Sequence, residues 1–111
     1  MKKAKKILLV ENEFYTRYLF TLVLEDAGFS VKAVSDGIEA LNVIEKTLAD
    51  NSTFDFLITD LQMPYMNGIE LIRKLQERSI RIPSILVSSY NKKEVEAIAY
   101  SDFSYLNSQL K

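Results

Sequence analysis

Short apolar runs that alternate with longer helical patterns constrain the fold of this chain more than any other feature. The runs at residues 7–10, 56–58 and 85–87 are continuous, as expected of strands buried on both faces of a sheet. Residues 29–34 alternate apolar and polar side chains, which indicates a strand near a sheet edge. Strands separated by helices form a parallel sheet with helices on both faces. The pattern therefore predicts a doubly wound α/β fold.

The segments between the apolar runs have helical spacing of their apolar residues. Helices are predicted over residues 13–27, 38–48, 69–75 and 92–100, and a weak fifth strand is predicted over residues 103–106. Gly28 follows the first helix, in a position where a left-handed backbone conformation commonly ends a helix. The inward stripe of that helix is predicted from four positions: Phe20, Val23, Leu24 and Ala27.

Length and composition exclude several classes of protein. A chain of 111 residues forms one domain, so we assign residues 1–111 to a single unit. The net charge of −1 favours neither nucleic acid nor an anionic membrane, and the Lys2–Lys6 cluster is interpreted as a solvated chain end. The absence of cysteine and histidine removes thiolate chemistry and the commonest metal ligand. No signal peptide or membrane span is predicted, and we expect a cytoplasmic protein.

Polar side chains follow three of the predicted strands, at the point where each strand ends. These are Glu11-Asn12-Glu13 after the first strand, Asp60 after the third, and Ser88-Ser89 after the fourth. The carboxyl ends of parallel strands lie on one edge of the sheet, where ligands bind at the switch point in strand order. The sequence therefore predicts that three carboxylates, one amide and two hydroxyls converge at this edge.

Five segments of the chain carry a resemblance to response-regulator receiver domains of two-component signal transduction. They are residues 7–13, 28–31, 35–41, 55–71 and 83–88, and the similarity extends over residues 6–106. The densest match is residues 55–71, which include Asp60, Met63-Pro64 and Gly68. The resemblance implies a flavodoxin-like sheet of five parallel strands in the order 2-1-3-4-5. It also implies a signalling module and not an enzyme.

The resemblance also implies a role for each polar residue at the sheet edge. Asp60 would accept a phosphoryl group from the phosphohistidine of a sensor histidine kinase or histidine phosphotransfer protein. A Mg²⁺ ion would be held by Asn12, Asp60 and the backbone carbonyl of Gln62, with Glu11 acting through water. Ser88 would donate a hydrogen bond to a phosphoryl oxygen, and Tyr105 would be the aromatic switch residue on the fifth strand.

The chain departs from the family pattern in three ways, and the departures at Asn12 and Ser108 support a second interpretation. Asn12 stands where the family usually has an aspartate ligand, so we expect weak Mg²⁺ binding. Ser108 occupies the position of the family's invariant lysine, and the fifth helix is missing or truncated. The alternative is therefore a pseudo-receiver, a protein-interaction module that acts without phosphorylation. A phosphohydrolase of the haloacid dehalogenase type would need a second aspartate where this chain has Gln62.

The outer side of the first helix is unusually apolar for a surface helix. Phe14 lies there with the three residues on which we base a contact surface: Tyr15, Tyr18 and Leu22. A helix that is apolar nearly all round is usually buried all round. Without a fifth helix beside it, this side is expected to form a homodimer contact or to bind a partner protein.

Overall fold

The computed structural model describes residues 3–88 and residue 93 of the chain. Strands and helices alternate strictly through residues 3–88. In chain order they are β1 (Lys6–Val10), α1 (Phe14–Asp26), β2 (Ser30–Val34), α2 (Gly37–Ala49), β3 (Phe56–Asp60), α3 (Gly68–Glu77) and β4 (Ser84–Val87). These bounds confirm the predicted elements to within a few residues.

The four strands form one parallel sheet in the order β2-β1-β3-β4. The order confirms the predicted switch point, because β1 lies between β2 and β3 and the chain reverses its direction of winding there. As predicted, the alternating strand β2 lies at an edge of the sheet. The predicted helix over residues 92–100, except for residue 93, and the predicted strand over 103–106 lie outside the described residues.

One face of the sheet is covered by α2 and α3 and holds the larger core, which we call the closed face. Twelve buried apolar residues form one cluster there: Leu8, Val10, Val34, Ala40, Leu41, Ile44, Phe54, Leu57, Met66, Leu71, Leu75 and Ile82. The inward stripe of α3 consists of Ile69, Leu71 and Leu75, which are buried, and Ile72, which is half-buried. Burial of aliphatic side chains on this scale is the main force that holds α2 and α3 against the sheet.

The opposite face is covered by α1 and has a much smaller core, and we call it the open face. Among the described residues, Ile7, Leu9 and Ile58 are the ones buried in this core, with Phe20 and Leu24 of α1 packed against them. The predicted inward positions of Val23 and Ala27 are wrong, because both side chains are exposed. The α1 helix is apolar nearly all round, so its periodicity alone could not fix which side faces the sheet. No helix within residues 3–88 is both long and apolar enough to cross a membrane.

Side chains and one glycine determine where the helices begin and end. Gly28 has a φ of 99° after the end of α1, as predicted. Asp36 caps α2 by accepting a hydrogen bond from the Glu39 N–H at 2.8 Å. Asn67 and Glu70 form a reciprocal capping box at the start of α3, which satisfies N–H groups that the helix itself leaves unpaired. These caps fix where each loop of the sheet edge ends.

Candidate functional site

The candidate site lies at the carboxyl edge of the sheet, beside the switch point. Asp60 is the last residue of β3 and is half-buried, and Glu11 follows β1 directly. Val10 pairs with Thr59, so the parallel register brings Glu11 to the level of Asp60 on the neighbouring strand. Asp60 in turn pairs with Val87, the residue before Ser88. The structure therefore brings Glu11, Asp60 and Ser88 to one edge, as predicted.

Glu11 is the buried acidic residue of this edge. Its side chain is buried, with 8% of its surface exposed, and its Oε2 accepts a hydrogen bond from the Glu13 N–H at 2.7 Å. Burial raises the pKa of the Glu11 carboxyl above its usual range, and the negative charge of Asp60 adds to this effect. The Glu13 N–H opposes the increase in pKa. Glu11 and Asp60 are therefore close enough to repel each other, as two acids do in a cation site.

Glu13 has a different role from the one expected of a third converging carboxylate. It is the N-cap of α1, and its carboxylate accepts hydrogen bonds from the backbone N–H groups of Tyr15 and Thr16 at 3.1 and 2.6 Å. Hydrogen bonds from Thr16 and Tyr15 lower the pKa of the Glu13 carboxyl. Within residues 3–88 and 93, no three acidic, histidine or cysteine side chains group as metal ligands. The prediction that three carboxylates converge is therefore wrong for Glu13.

The loop from β3 to α3 makes a close backbone contact with the end of β3. The Gly68 N–H donates to the Leu61 carbonyl at 2.9 Å, and a Cβ at position 68 would collide with the Asp60 carbonyl oxygen. Only glycine fits there. At the tip of the loop, Tyr65 has a φ of 70°, a backbone conformation that few residues other than glycine adopt. Its side chain is exposed. The Gly68 contact thus fixes the loop that carries Gln62 relative to Asp60.

Arg17 is a functional candidate that sequence reasoning missed. It lies in the first turn of α1 and is half-buried. Its Nη1 donates hydrogen bonds to the backbone carbonyls of Glu11 at 2.9 Å and Asn12 at 3.3 Å. A cation in the first turn of a helix opposes the helix dipole, and this conflict was the available sequence signal. The guanidinium therefore brings a positive charge to the loop between β1 and α1.

The oxygen atoms at this edge fit a hard divalent cation. Glu11 and Asp60 supply carboxylates, and the exposed residues Asn12 and Gln62, which follow β1 and β3, form an open rim. Mg²⁺ prefers oxygen ligands and keeps several water molecules, which an open rim allows. A cation here would also relieve the repulsion between the two acids. The residues present therefore fit Mg²⁺, with one formal charge fewer than an aspartate at position 12 would give.

Ser88 and Tyr105 are the residues expected to transmit a signal, and the structure describes the first of them. Ser88 is half-buried. The carbonyl of Val87, the residue before Ser88, accepts a hydrogen bond from the Leu61 N–H at 3.0 Å. Tyr105 and Ser108 lie outside the described residues, as does Ser89. Their roles stay predictions from the sequence.

Known proteins match most of this chain. The family model described as the response regulator receiver domain matches residues 7–107. The chain is 38% identical over 88 residues to the two-component response regulator-like protein APRR7 of Arabidopsis thaliana. The matched residues are 78% of this chain and 12% of that protein. It is 31% identical over 97 residues to the chemotaxis protein CheY-3 of Vibrio cholerae, covering 85% of this chain and 71% of that protein. The chain thus spans only a small part of APRR7.

A solved structure with the same fold is a complex with Mg²⁺ and BeF3−. The receiver domain of the histidine kinase CKI1 from Arabidopsis thaliana, in complex with Mg²⁺ and BeF3−, superposes with a TM-score of 0.72. The two chains are 30% identical, and the match covers 83% of this chain and 72% of that one. That domain binds Mg²⁺ in its solved form.

Proposed function

Because the chain belongs to the response-regulator receiver family, we propose that it accepts a phosphoryl group on Asp60 from a histidine kinase or phosphotransfer protein. In this reaction an Oδ of Asp60 forms a bond to phosphorus while the phosphorus–nitrogen bond of the donor's phosphohistidine breaks. The product is an acyl phosphate on Asp60, and the donor histidine is released. Receiver domains are signalling modules, so the modified Asp60 is a signal rather than a turnover intermediate.

One observation carries this proposal, namely the closeness of Asp60 to the buried Glu11 at the switch point of the sheet. A nucleophilic carboxylate must approach an anionic phosphoryl group, so its site needs positive charge. Mg²⁺, when bound, would supply that charge and neutralise the transferring oxygens. Glu11, Asn12, Asp60 and the Gln62 carbonyl are the proposed residues that would hold it. The Mg²⁺ complex of the CKI1 receiver domain supports this assignment.

The proposed signal passes from Asp60 to the neighbouring strand end. Ser88 follows β4 one residue beyond the partner of Asp60, a position from which its hydroxyl could donate to a phosphoryl oxygen. We assign Tyr105 as the aromatic that responds to this movement, on the resemblance alone. We also propose that residues 1–111 form one receiver domain in the cytoplasm and that this domain does not bind nucleic acid.

The outer side of α1 is proposed as the protein-binding surface. Tyr15, Tyr18 and Leu22 are 70%, 53% and 45% exposed, and an apolar groove lined by Thr16, Leu19, Phe20 and Val23 lies on the same helix. This surface would bind the phosphodonor or a second copy of the chain. Sedimentation velocity of the wild type and Leu22→Lys separates these cases. Association that the substitution abolishes identifies a homodimer, whereas a monomer at every concentration assigns the surface to another protein.

The experiment that tests the function is intact mass spectrometry after incubation with phosphoramidate and Mg²⁺. We expect the mass to increase by one phosphoryl group in the wild type and to stay unchanged in Asp60→Asn. The matched control is Asp55→Asn, which alters an aspartate just before the opposite end of β3, where Oδ2 accepts from the Lys6 N–H at 2.7 Å. Asp55→Asn should be phosphorylated like the wild type. A wild type that gains no mass refutes the proposal.

The second candidate function is the pseudo-receiver, which the exposed amide of Asn12 favours. It predicts contact with partners that does not depend on phosphorylation, and Ser108 in the lysine position supports it from the sequence. Asn12→Asp tests whether residue 12 is a metal ligand. Restoring one charge–charge contact should tighten Mn²⁺ binding by about tenfold if residue 12 is a ligand. Equal affinities in a relaxation titration would show that residue 12 does not contact the metal.

A further inference from the structure

The side chain of Arg17 turns back toward the loop that precedes its own helix. Nη1 donates to the carbonyl of Glu11 at 2.9 Å and to that of Asn12 at 3.3 Å, and the guanidinium lies 5.5 Å from the ring centroid of Phe14. The helix dipole disfavours a cation at this end of α1. The contacts with the loop therefore account for the placement of Arg17 better than the stability of α1 does.

These contacts hold the segment of backbone that carries two proposed metal ligands. Glu11 is fixed on one side by its N–H, which donates to the Val34 carbonyl at 3.0 Å, and on the other side by Arg17. Asn12 is exposed and lies beyond the last strand pair of β1. One guanidinium nitrogen that contacts two successive carbonyls restrains the peptide unit between them. A planar guanidinium keeps such a geometry at a lower entropic cost than the flexible ammonium of lysine.

We propose that Arg17 is a positioning residue for the metal-binding loop, holding the Glu11 and Asn12 carbonyls and thereby fixing the backbone from which both side chains extend. The inference rests on the proposed function, because it concerns the cation site of that function. Arg17 does not touch the reacting atoms. It acts through the backbone of the two residues that it holds.

A role as a simple counter-charge predicts the opposite result. Arg17 is positively charged and close to Glu11 and Glu13, so its electric field alone disfavours a second cation at this edge. If Arg17 only balanced the acids, its removal would strengthen binding of a divalent cation. If it positions the loop, its removal weakens binding even though a positive charge has been lost. The sign of the change in affinity therefore distinguishes the two roles.

The test is a Mn²⁺ titration by water-proton relaxation on the wild type, Arg17→Gln and Arg17→Lys. We expect Arg17→Gln to weaken Mn²⁺ binding by about three- to tenfold, the effect of losing charge-assisted hydrogen bonds that orient the ligands. Arg17→Lys should weaken it as well, although it keeps the charge. The control is Arg81→Gln, which removes the same charge from an exposed residue before β4, at the opposite edge of the sheet. It should bind Mn²⁺ like the wild type.

Amide hydrogen exchange in metal-free protein provides a second measurement. We expect faster exchange at residues 11–16 in Arg17→Gln, with unchanged exchange in β2 and β3. Arg17→Gln that binds Mn²⁺ as tightly as the wild type, or more tightly, refutes the inference while leaving the proposed function intact. If Arg17→Gln does not fold, an Arg17→Lys protein with wild-type affinity refutes it. A wild type that binds no Mn²⁺ refutes the proposed metal site, and this inference with it.

Discussion

The two faces of the sheet differ in how completely their helices are buried. On the closed face, α2 and α3 bury a continuous cluster of twelve apolar residues. On the open face, three strand residues are buried, and α1 contains no fully buried residue. Yet α1 is more apolar by sequence than α3, which carries Arg73, Lys74 and Glu77. The apolar content of a helix therefore does not determine its burial, which depends on what packs against it.

The two faces also differ in which residues stabilise the fold and which are available to contact another protein. Leu71 and Leu75 on the closed face make the fold stable, because their side chains are removed from water. Tyr18 and Leu22 on the open face are about half exposed and contribute little to that burial. Large exposed apolar residues side by side on one helix are typical of a binding surface. The predictions below test whether stability and contact are divided in this way.

The largest expected effect concerns two leucines, one on a helix of each face. Leu71→Ala in α3 should reduce the free energy of unfolding by about 2–5 kcal/mol, because it removes a fully buried side chain and leaves a cavity. Leu22→Ala in α1 should change it by less than about 0.5 kcal/mol. Urea unfolding of both variants measures the difference. Similar losses for the two would mean that α1 is packed as tightly as α3.

The second prediction compares two glycines. Gly68→Ala should reduce the free energy of unfolding by about 1–3 kcal/mol, since its Cβ would collide with the Asp60 backbone and lie 2.7 Å from Leu86 Cδ1. It should also reduce phosphorylation of Asp60. Gly28→Ala, with a φ of 99° and no atom near the added Cβ, should cost about 1 kcal/mol and leave phosphorylation unchanged. Normal phosphorylation of folded Gly68→Ala would show that this contact does not position Asp60.

A third, smaller effect is expected from the cap of α3. Asn67→Ala removes the acceptor of the Glu70 N–H at 2.8 Å and should reduce the free energy of unfolding by about 1 kcal/mol. Asn67→Asp keeps an acceptor at the helix start and should retain most of the stability. Thermal unfolding of the two variants provides the measurement. Equal losses in both would indicate that the amide makes a contact more important than the cap.

The smallest effect is expected from the cap of α1, and it depends on pH. Hydrogen bonds from Thr16 and Tyr15 lower the pKa of Glu13 below its ordinary value of 4.5, so its ionised form stabilises the folded state. This contribution is present above pH 4.5 and is lost as the pH falls through the lowered pKa. Glu13→Gln should therefore be less stable than the wild type at pH 7, and the difference should shrink in acid. A difference that stays constant with pH would exclude an ionic cap.

Much of the fold and part of the site followed from local patterns. The strands were recognised from runs such as residues 7–10, and Gly28 from its place after a helical pattern, because both signals depend on neighbouring residues. The approach of Glu11 to Asp60 followed from a general rule about strand ends in parallel sheets. The orientation of α1 was wrong at Val23 because an all-round apolar helix has no unique inward stripe. Glu13 follows the same strand end, but its carboxylate caps α1, because a carboxylate at a strand end can also accept hydrogen bonds from the next helix.

The sequence by itself determined the order of the elements, the position of the switch point and the residues gathered at the carboxyl edge. These depend on periodicity and chain order, which short stretches of sequence contain. Only the tertiary structure decided that Arg17 holds the carbonyls of Glu11 and Asn12, that Gly68 must lack a side chain beside Asp60, and that Val23 and Ala27 of α1 are exposed. Each of these depends on distances between parts of the chain set by packing, which no local propensity specifies.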